Sequence, residues 1–131
     1  MMVGLDTSAI LRLLLGQPVD QARRAVAFLE ELAGRGDQAV VSDLVVAEAY
    51  FALQYHYGVP KKEALSALRQ MFADGEIESQ GVAAEVLAAD GLASAKPGFV
   101  DRLIQGGYIR SGGSMATFEK ASGKLKSVRV L

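Results

Sequence analysis

The sequence predicts an α/β protein, a three-layer α/β/α sandwich around a short, mostly parallel sheet. Short apolar segments alternate with longer amphipathic segments, which is typical of strands that alternate with helices. The chain has 131 residues, of which 50% are hydrophobic and 22% are charged, so it has enough apolar surface for one core and too little charge for disorder. We therefore expect a single domain over residues 1–131.

The first half of the chain predicts two strands, each followed by helices. An apolar run ends at Asp6, where polar residues that favour helix N-caps begin. A break at Gln17-Pro18 separates two helical segments, and the second spaces its apolar residues three or four apart until Gly34. Ser42 then opens a strongly apolar helix. The predicted elements are a strand at 1–5, helices at 9–15 and 19–34, a strand at 38–42 and a helix from 42 to about 57.

The second half predicts three helices and three short strands. Pro60 and Gly98 separate the helices from what precedes them. A glycine inside a helix costs about 1 kcal/mol relative to alanine, so Gly106-Gly107 indicates close helix packing, whereas Gly112-Gly113 marks a loop. The predicted elements are helices at 61–72, 82–93 and 98–109, and strands at 76–79, 114–117 and 127–131.

Composition limits the chemistry that the protein can perform. The absence of Cys excludes disulfides, thiolate nucleophiles and Cys-based metal sites, and a single His, His56, leaves no His-rich metal site and no obvious Ser-His-Asp triad. No apolar segment approaches the about 20 residues of a membrane helix, and Asp6 interrupts the first apolar run, so we expect a soluble, cytoplasmic protein. Carboxylates are the main reactive groups that remain.

Charge is distributed unevenly along the chain. Residues 1–95 contain 7 Lys and Arg against 13 Asp and Glu, a net charge of −6, and residues 96–131 contain 7 against 2, a net charge of +5. A basic carboxyl-terminal quarter suits an anionic partner such as nucleic acid, and a solvated charged surface explains it equally well.

Two acidic residues in the first half are candidate site residues. Asp6 follows the first strand, at the edge where open α/β sheets bind ligands, although an N-cap role in the next helix also explains it. Glu48 is the only residue of Leu44–Leu53 that is not apolar, and its neighbours three and four residues away are all apolar. We expect Glu48 to be buried, and therefore either hydrogen-bonded or salt-bridged within the structure, or bound to a metal cation.

Two further acids lie in the basic quarter. Asp101 falls in the first turn of a predicted helix, where the helix dipole favours an acid, and Glu119 follows a predicted strand, where Thr117 can cap the turn. Because two of the four acids follow strands and two lie on helices beside strand ends, one crevice can hold all four. Such a cluster repels itself unless divalent cations fill it, and an all-oxygen site suits Mg²⁺ or Mn²⁺.

Four segments of the chain carry a family resemblance. They are LDTSAILRLL at 5–14, VVSDLVVAEAYFAL at 40–53, GFVDRLI at 98–104 and ATFEKA at 116–121. In this order and spacing they resemble the PIN-domain family and, within it, the VapC-type toxins of bacterial and archaeal toxin–antitoxin pairs.

The resemblance implies a ribonuclease with a four-acid metal site. It implies a Mg²⁺- or Mn²⁺-dependent endoribonuclease that hydrolyses RNA phosphodiester bonds, with the metal held by Asp6, Glu48, Asp101 and Glu119. Ser8 and Thr117 match the small polar residues that the family places beside this site. Glu119 stands where the family usually has Asp, so its longer side chain alters ligation of a second metal.

Partners also follow from the resemblance. It implies a homodimer that is silenced by a small antitoxin protein lying over the active site. Basic residues of the last quarter are expected to hold RNA, foremost Arg102, Arg110, Lys120 and Lys124. Arg102 can instead pair with Asp101.

The aromatic part of the third helix supports a partner independently. Its large side chains exceed what one helix face can bury, so some are expected in an interface: Tyr50, Phe51, Leu53, Tyr55 and Tyr57. The alternative to an active nuclease is a PIN-like binding or scaffold module that has lost catalysis, for which Glu119 is the best argument.

Overall fold

A computed structural model describes all residues 1–131 and confirms an α/β fold of helices around short parallel strands. In chain order the elements are β1 (Met2–Gly4), α1 (Thr7–Leu15), α2 (Val19–Arg35), β2 (Gln38–Val41), α3 (Asp43–Tyr55), α4 (Lys61–Ala73), β3 (Ile77–Ser79), α5 (Ala83–Leu87), α6 (Phe99–Arg110), β4 (Met115–Thr117) and β5 (Val128–Val130). Short 3-10 turns lie at Leu92–Ser94 and Lys120–Lys124. None of the helices combines the length and the hydrophobicity needed to span a bilayer.

The strands form two parallel sheets rather than the one sheet that the sequence predicts. In the larger sheet β2 lies between β1 and β3, with Met2 opposite Gln38 and Ala39 opposite Ile77. In the smaller sheet β4 pairs with β5, with Met115 opposite Val128. Because β4 pairs with β5 and not with β1, one edge of β1 stays unpaired.

Helix and strand boundaries agree with the sequence predictions within two residues, except in one region. The helix predicted at 82–93 is shorter: α5 ends at Leu87, and the left-handed Gly91 (φ +70°) prevents a continuous helix from reaching residue 93. The predicted close packing is confirmed at Gly106, where a Cβ would lie 3.0 Å from Val82 Cγ2, but Gly107 faces open space. Gly112, with φ +83°, marks the predicted loop after α6.

In the core, α3 packs against α1 and α4. Five helices each contribute a fully or almost fully buried side chain: Ile10, Leu32, Leu53, Leu68 and Phe99. The ring of Tyr50 on α3 meets Phe99 at the start of α6 edge-on, with centroids 5.1 Å apart. This contact fixes the start of α6, the helix of Asp101, against α3, the helix of Glu48.

A carboxylate also joins α3 to α5. Asp43 accepts hydrogen bonds from the backbone nitrogens of Val82 (3.1 Å) and Ala83 (3.0 Å), where α5 begins. Its carboxylate lies directly against Gly81, where any side chain would overlap it. Arg110 at the end of α6 donates to the Gly81 carbonyl, so three helices meet at this glycine.

Candidate functional site

Asp6 lies at the amino-terminal end of α1 and serves as its N-cap. Its Oδ1 accepts hydrogen bonds from the backbone nitrogen of Ala9 (3.0 Å) and from Ser8 Oγ (2.7 Å). These bonds stabilise the ionised form, Ala9 most and Ser8 next, and they lower the pKa of Asp6. The side chain is nevertheless exposed. The capping role therefore holds the carboxylate in place without removing it from solvent.

Glu48 is exposed, so the expectation that it is buried is wrong. The helix buries a different face, formed by Val46, Ala49, Tyr50 and Leu53. The apolar neighbours of Glu48 are largely surface residues, because Leu44 is 73% exposed and Phe51 is 43% exposed. Glu48 Oε1 accepts a hydrogen bond of 2.9 Å from Thr7 Oγ1.

Thr7 connects Glu48 to the chain segment that follows Asp6. It follows Asp6 directly in the chain, and its hydroxyl fixes Glu48, so both acids lie where the start of α1 meets α3. The five ion pairs of the protein include none of the four predicted acids, so no Lys or Arg side-chain nitrogen lies within 4.0 Å of their carboxylate oxygens. Two fixed, exposed carboxylates without a paired cation form an electronegative site.

Asp101 and Glu119 lie outside this pair. Asp101 is exposed in the first turn of α6, and Glu119 is exposed after β4. The backbone nitrogen of Glu119 donates to Thr117 Oγ1 at 3.0 Å, as expected for a capped turn. No three acidic or His side chains lie within reach of a common metal ion. Glu119 follows the separate β4–β5 sheet, so no strand pairing holds it beside the end of β1.

The Asp6–Glu48 pair fits a hard divalent cation. Each carboxylate has one oxygen outside the hydrogen bonds described above, and both donors are oxygens of the kind that Mg²⁺ and Mn²⁺ prefer. Both side chains are exposed, so an ion can reach them.

The PIN-domain family model matches residues 3–124, a span that includes all four predicted acids. The chain belongs to the PIN-domain family. Members of this family are generally nucleases, and divalent metals are typical of them, so a nuclease-type function follows at the level of the family. No curated protein and no solved structure is significantly similar to the chain.

Two grooves flank α6 of this PIN domain. The apolar groove, of about 460 Å³, lies between α3 and α6 and is lined mainly by Leu44, Ala47, Val100, Leu103, Ile104 and Tyr108. The arginine groove, of about 720 Å³, lies between α5 and α6 and is lined by Val82, Glu85, Val86, Ala89, Arg102, Gln105, Gly106, Ile109, Arg110 and Leu125. Asp101 lies between them, because its neighbours three and four residues on are Ile104 and Gln105, one in each groove.

The predicted RNA-binding residues of the PIN domain fall into two groups. Lys120 and Lys124 are exposed in the 3-10 turn after β4. Arg102 and Arg110 line the arginine groove, and each donates to a backbone carbonyl. Arg102 forms no ion pair with Asp101, because its Nε donates to the Pro97 carbonyl at 2.8 Å instead.

The aromatic segment of α3 divides between core and surface. Tyr50 and Leu53 are buried, so they are not available to a partner. Phe51, Tyr55 and Tyr57 are exposed, and the rings of Phe51 and Tyr55 stack with centroids 6.2 Å apart. The PIN domain therefore presents part of the predicted aromatic surface next to Glu48.

Sequence reasoning missed two side chains with defined roles. The local pattern indicates only that Thr7 lies near the start of α1, whereas its bond to Glu48 joins residues far apart in the chain. It likewise indicates only that Asp43 lies at the start of α3, whereas its carboxylate binds the backbone nitrogens at the start of α5. A glycine directly before a helix, Gly81, was the available signal, since a glycine permits another group to approach the backbone closely.

Proposed function

We propose that this PIN domain is a metal-dependent endoribonuclease and the toxin of a toxin–antitoxin pair. The observation that carries the proposal is that Asp6 and Glu48 are exposed, hydrogen-bonded carboxylates without an ion pair, in a chain of a nuclease family. The absence of Cys and the position of the lone His56, exposed at the end of α3, favour hydrolysis by water over attack by a side-chain nucleophile.

The residues of the chain have distinct roles in this proposal. Asp6 and Glu48 would hold Mg²⁺ or Mn²⁺. Asp101 and Glu119 are further proposed ligands, which would have to move toward the pair because the four acids do not reach a common ion in this structure. When bound, the ion supplies Lewis-acid activation of water and neutralises charge on the phosphodiester. Ser8 and the backbone of Ala9 fix Asp6, and Thr7 fixes Glu48. A fixed carboxylate loses less entropy when it binds a cation.

The alternative is a PIN-like binding or scaffold module without catalysis. The observation that favours it is that Asp101 and Glu119 do not join the carboxylate pair. Such a module would still bind RNA through its basic residues, and binding would not lead to cleavage.

An RNA cleavage assay with the purified protein tests the proposal. We expect cleavage of unstructured RNA with Mg²⁺ or Mn²⁺ and none after chelation by EDTA. Glu63→Gln is the matched control for Glu48→Gln, because Glu63 is an exposed helical acid on α4 without an ion pair. Intact RNA at every metal concentration, together with measurable RNA binding, would favour the binding module.

The partners are proposals of the same kind. A homodimer and a small antitoxin would cover the exposed apolar side chains beside Glu48, such as Leu44, Phe51 and Tyr55. The carboxylate pair suits an antitoxin segment with an Arg, because a guanidinium binds carboxylates in a bidentate fork. The neighbouring gene product is co-expressed, and its Arg residues are replaced one at a time. Inhibition that survives loss of every Arg would refute this charge-based mechanism.

A further inference from the structure

We infer that the arginine groove binds the backbone of a single-stranded RNA segment alongside α6. The inference rests on the proposed function and states where the substrate strand lies. Three observations support it: the hydrogen bonds and missing ion pairs of Arg102 and Arg110, the volume and lining of the groove, and the position of the groove along the helix that carries Asp101.

Both arginines of the groove are held by the backbone of the protein. Arg102 Nε donates to the Pro97 carbonyl at 2.8 Å, and Arg110 donates to the Gly81 carbonyl. Each guanidinium has five N–H donors in a rigid fork, so each retains donors for a ligand. Because these side chains are already held in place, binding a phosphate costs less conformational entropy than it would for a free arginine.

Neither arginine has an acidic partner. The five ion pairs of the protein do not include Arg102 or Arg110. Glu85 is the one acid that lines the groove, and it lies beyond ion-pair distance of both. Two held guanidinium groups without carboxylates favour an anion that accepts several hydrogen bonds, and a phosphate is such an anion.

Half of the ten residues that line the groove are hydrophobic. They include Val86, Ile109 and Leu125, and Gly106 brings α6 close to Val82 beneath them. A volume of about 720 Å³ exceeds what a single small anion needs and is in the range of nucleotide-sized ligands. Cationic side chains at an apolar surface suit a single strand, whose phosphates and unstacked bases are both accessible, better than a duplex.

The groove runs along the helix that carries Asp101. Arg102 follows Asp101 directly, and Arg110 lies about 12 Å further along the helix axis. One extended strand can therefore place different phosphates on the two arginines. Glu85 opposes these phosphates, and its removal should strengthen binding.

The test measures RNA binding without cleavage. A labelled single-stranded RNA is titrated with the Glu48→Gln protein in EDTA, and anisotropy is recorded over a series of KCl concentrations. We expect Arg102→Gln and Arg110→Gln each to weaken binding about three- to fivefold and to reduce the salt slope by roughly 0.7. The matched control is Arg23→Gln on α2, an exposed arginine without an ion pair or side-chain hydrogen bond.

A second variant keeps the test decisive if loss of an arginine prevents folding. Glu85 is exposed and has no hydrogen-bond partner, so Glu85→Gln should fold normally. We expect it to tighten binding about two- to threefold, whereas Glu30→Gln, the same charge change on α2, should have a smaller effect. Equal affinity of these two variants, or folded arginine variants equal to Arg23→Gln, would overturn the inference. Because the assay contains no metal, failure of the wild-type protein to cleave RNA would reject the proposed function separately.

Discussion

The Asp6–Glu48 pair owes its geometry to hydrogen bonds from three consecutive residues after Asp6. Ser8 and Ala9 hold one oxygen of Asp6, and Thr7 holds one oxygen of Glu48. The same short segment therefore caps α1 and orients an acid on α3. At the scale of single residues, substitutions of Asp6, Thr7 and Glu48 therefore test the role of each hydrogen bond and carboxylate.

Removing either carboxylate should abolish catalysis and preserve the fold. We expect Asp6→Asn and Glu48→Gln each to reduce metal-dependent RNA cleavage by at least about two orders of magnitude, because each removes charge that holds the metal. Asp101→Asn should act similarly. Cleavage rates and thermal melting are measured together, and full activity in folded Asp101→Asn would remove that residue from the proposed site.

The hydroxyl of Thr7 should affect metal affinity, because it orients the Glu48 carboxylate. We expect Thr7→Val, which keeps the shape of the side chain, to weaken Mn²⁺ binding about tenfold, as loss of a second-layer partner of a metal ligand does. Thr7→Ser should restore binding, because it restores the donor. Metal affinity is measured by calorimetry, and identical affinities for all three proteins would show that Glu48 does not depend on this bond.

The hydrogen bonds of Asp6 should make the stability of the fold depend on pH in the acid range. The folded pKa of Asp6 lies below its unfolded value, so its ionised form stabilises the fold above the unfolded pKa, and this contribution is lost as the pH falls through the folded pKa. We expect the wild-type protein to lose more stability than Asp6→Asn below about pH 4. Urea unfolding at several pH values measures this. Asn remains a good N-cap, and Asp20→Asn on α2 is the control.

At the scale of elements, features that depend on interactions between residues close in the chain could be predicted better than features that depend on residues far apart. Periodicity and caps are local, so helices such as α2 and α3 could be predicted closely from the sequence. Strand pairing and exposure depend on distant residues, so the separate β4–β5 sheet and the exposed face around Glu48 could not. For the site, the sequence indicated which acids are candidates, and only the packing of α1 against α3 revealed that the residue after Asp6 contacts Glu48.

The junction of α3, α5 and α6 should be sensitive to one methyl group. We expect Gly81→Ala to destabilise the protein by about 1–3 kcal/mol, because its Cβ would overlap the Asp43 carboxylate. Gly34→Ala on α2 has open space and should instead stabilise the helix by about 0.5–1 kcal/mol. Urea unfolding of the two variants gives the comparison. Equal effects would mean that Asp43 moves aside without cost.

At the scale of the whole molecule, the exposed apolar side chains of α3 and α6 should mediate self-association. Leu44 is 73% exposed, Tyr55 is 78% exposed, and Ile104 and Tyr108 extend this surface. We expect a dimer in light scattering and a shift to monomer in Leu44→Ser/Tyr55→Ser. Val26→Ser on α2, which removes an exposed valine, is the control. A dimer that persists in the double variant would place the interface elsewhere.

The unpaired edge of β1 has a consequence for how the chain tolerates insertions. An open strand edge is a template onto which other chains can add, and proteins limit this hazard by keeping such strands short. Here β1, β3, β4 and β5 are each three residues long, and each lies at the edge of a sheet. Lengthening any of them would expose more unpaired backbone N–H and C=O groups to other protein chains. The short strands therefore limit the edge that could start aggregation. We expect insertions to be tolerated in the loops and not in the strands.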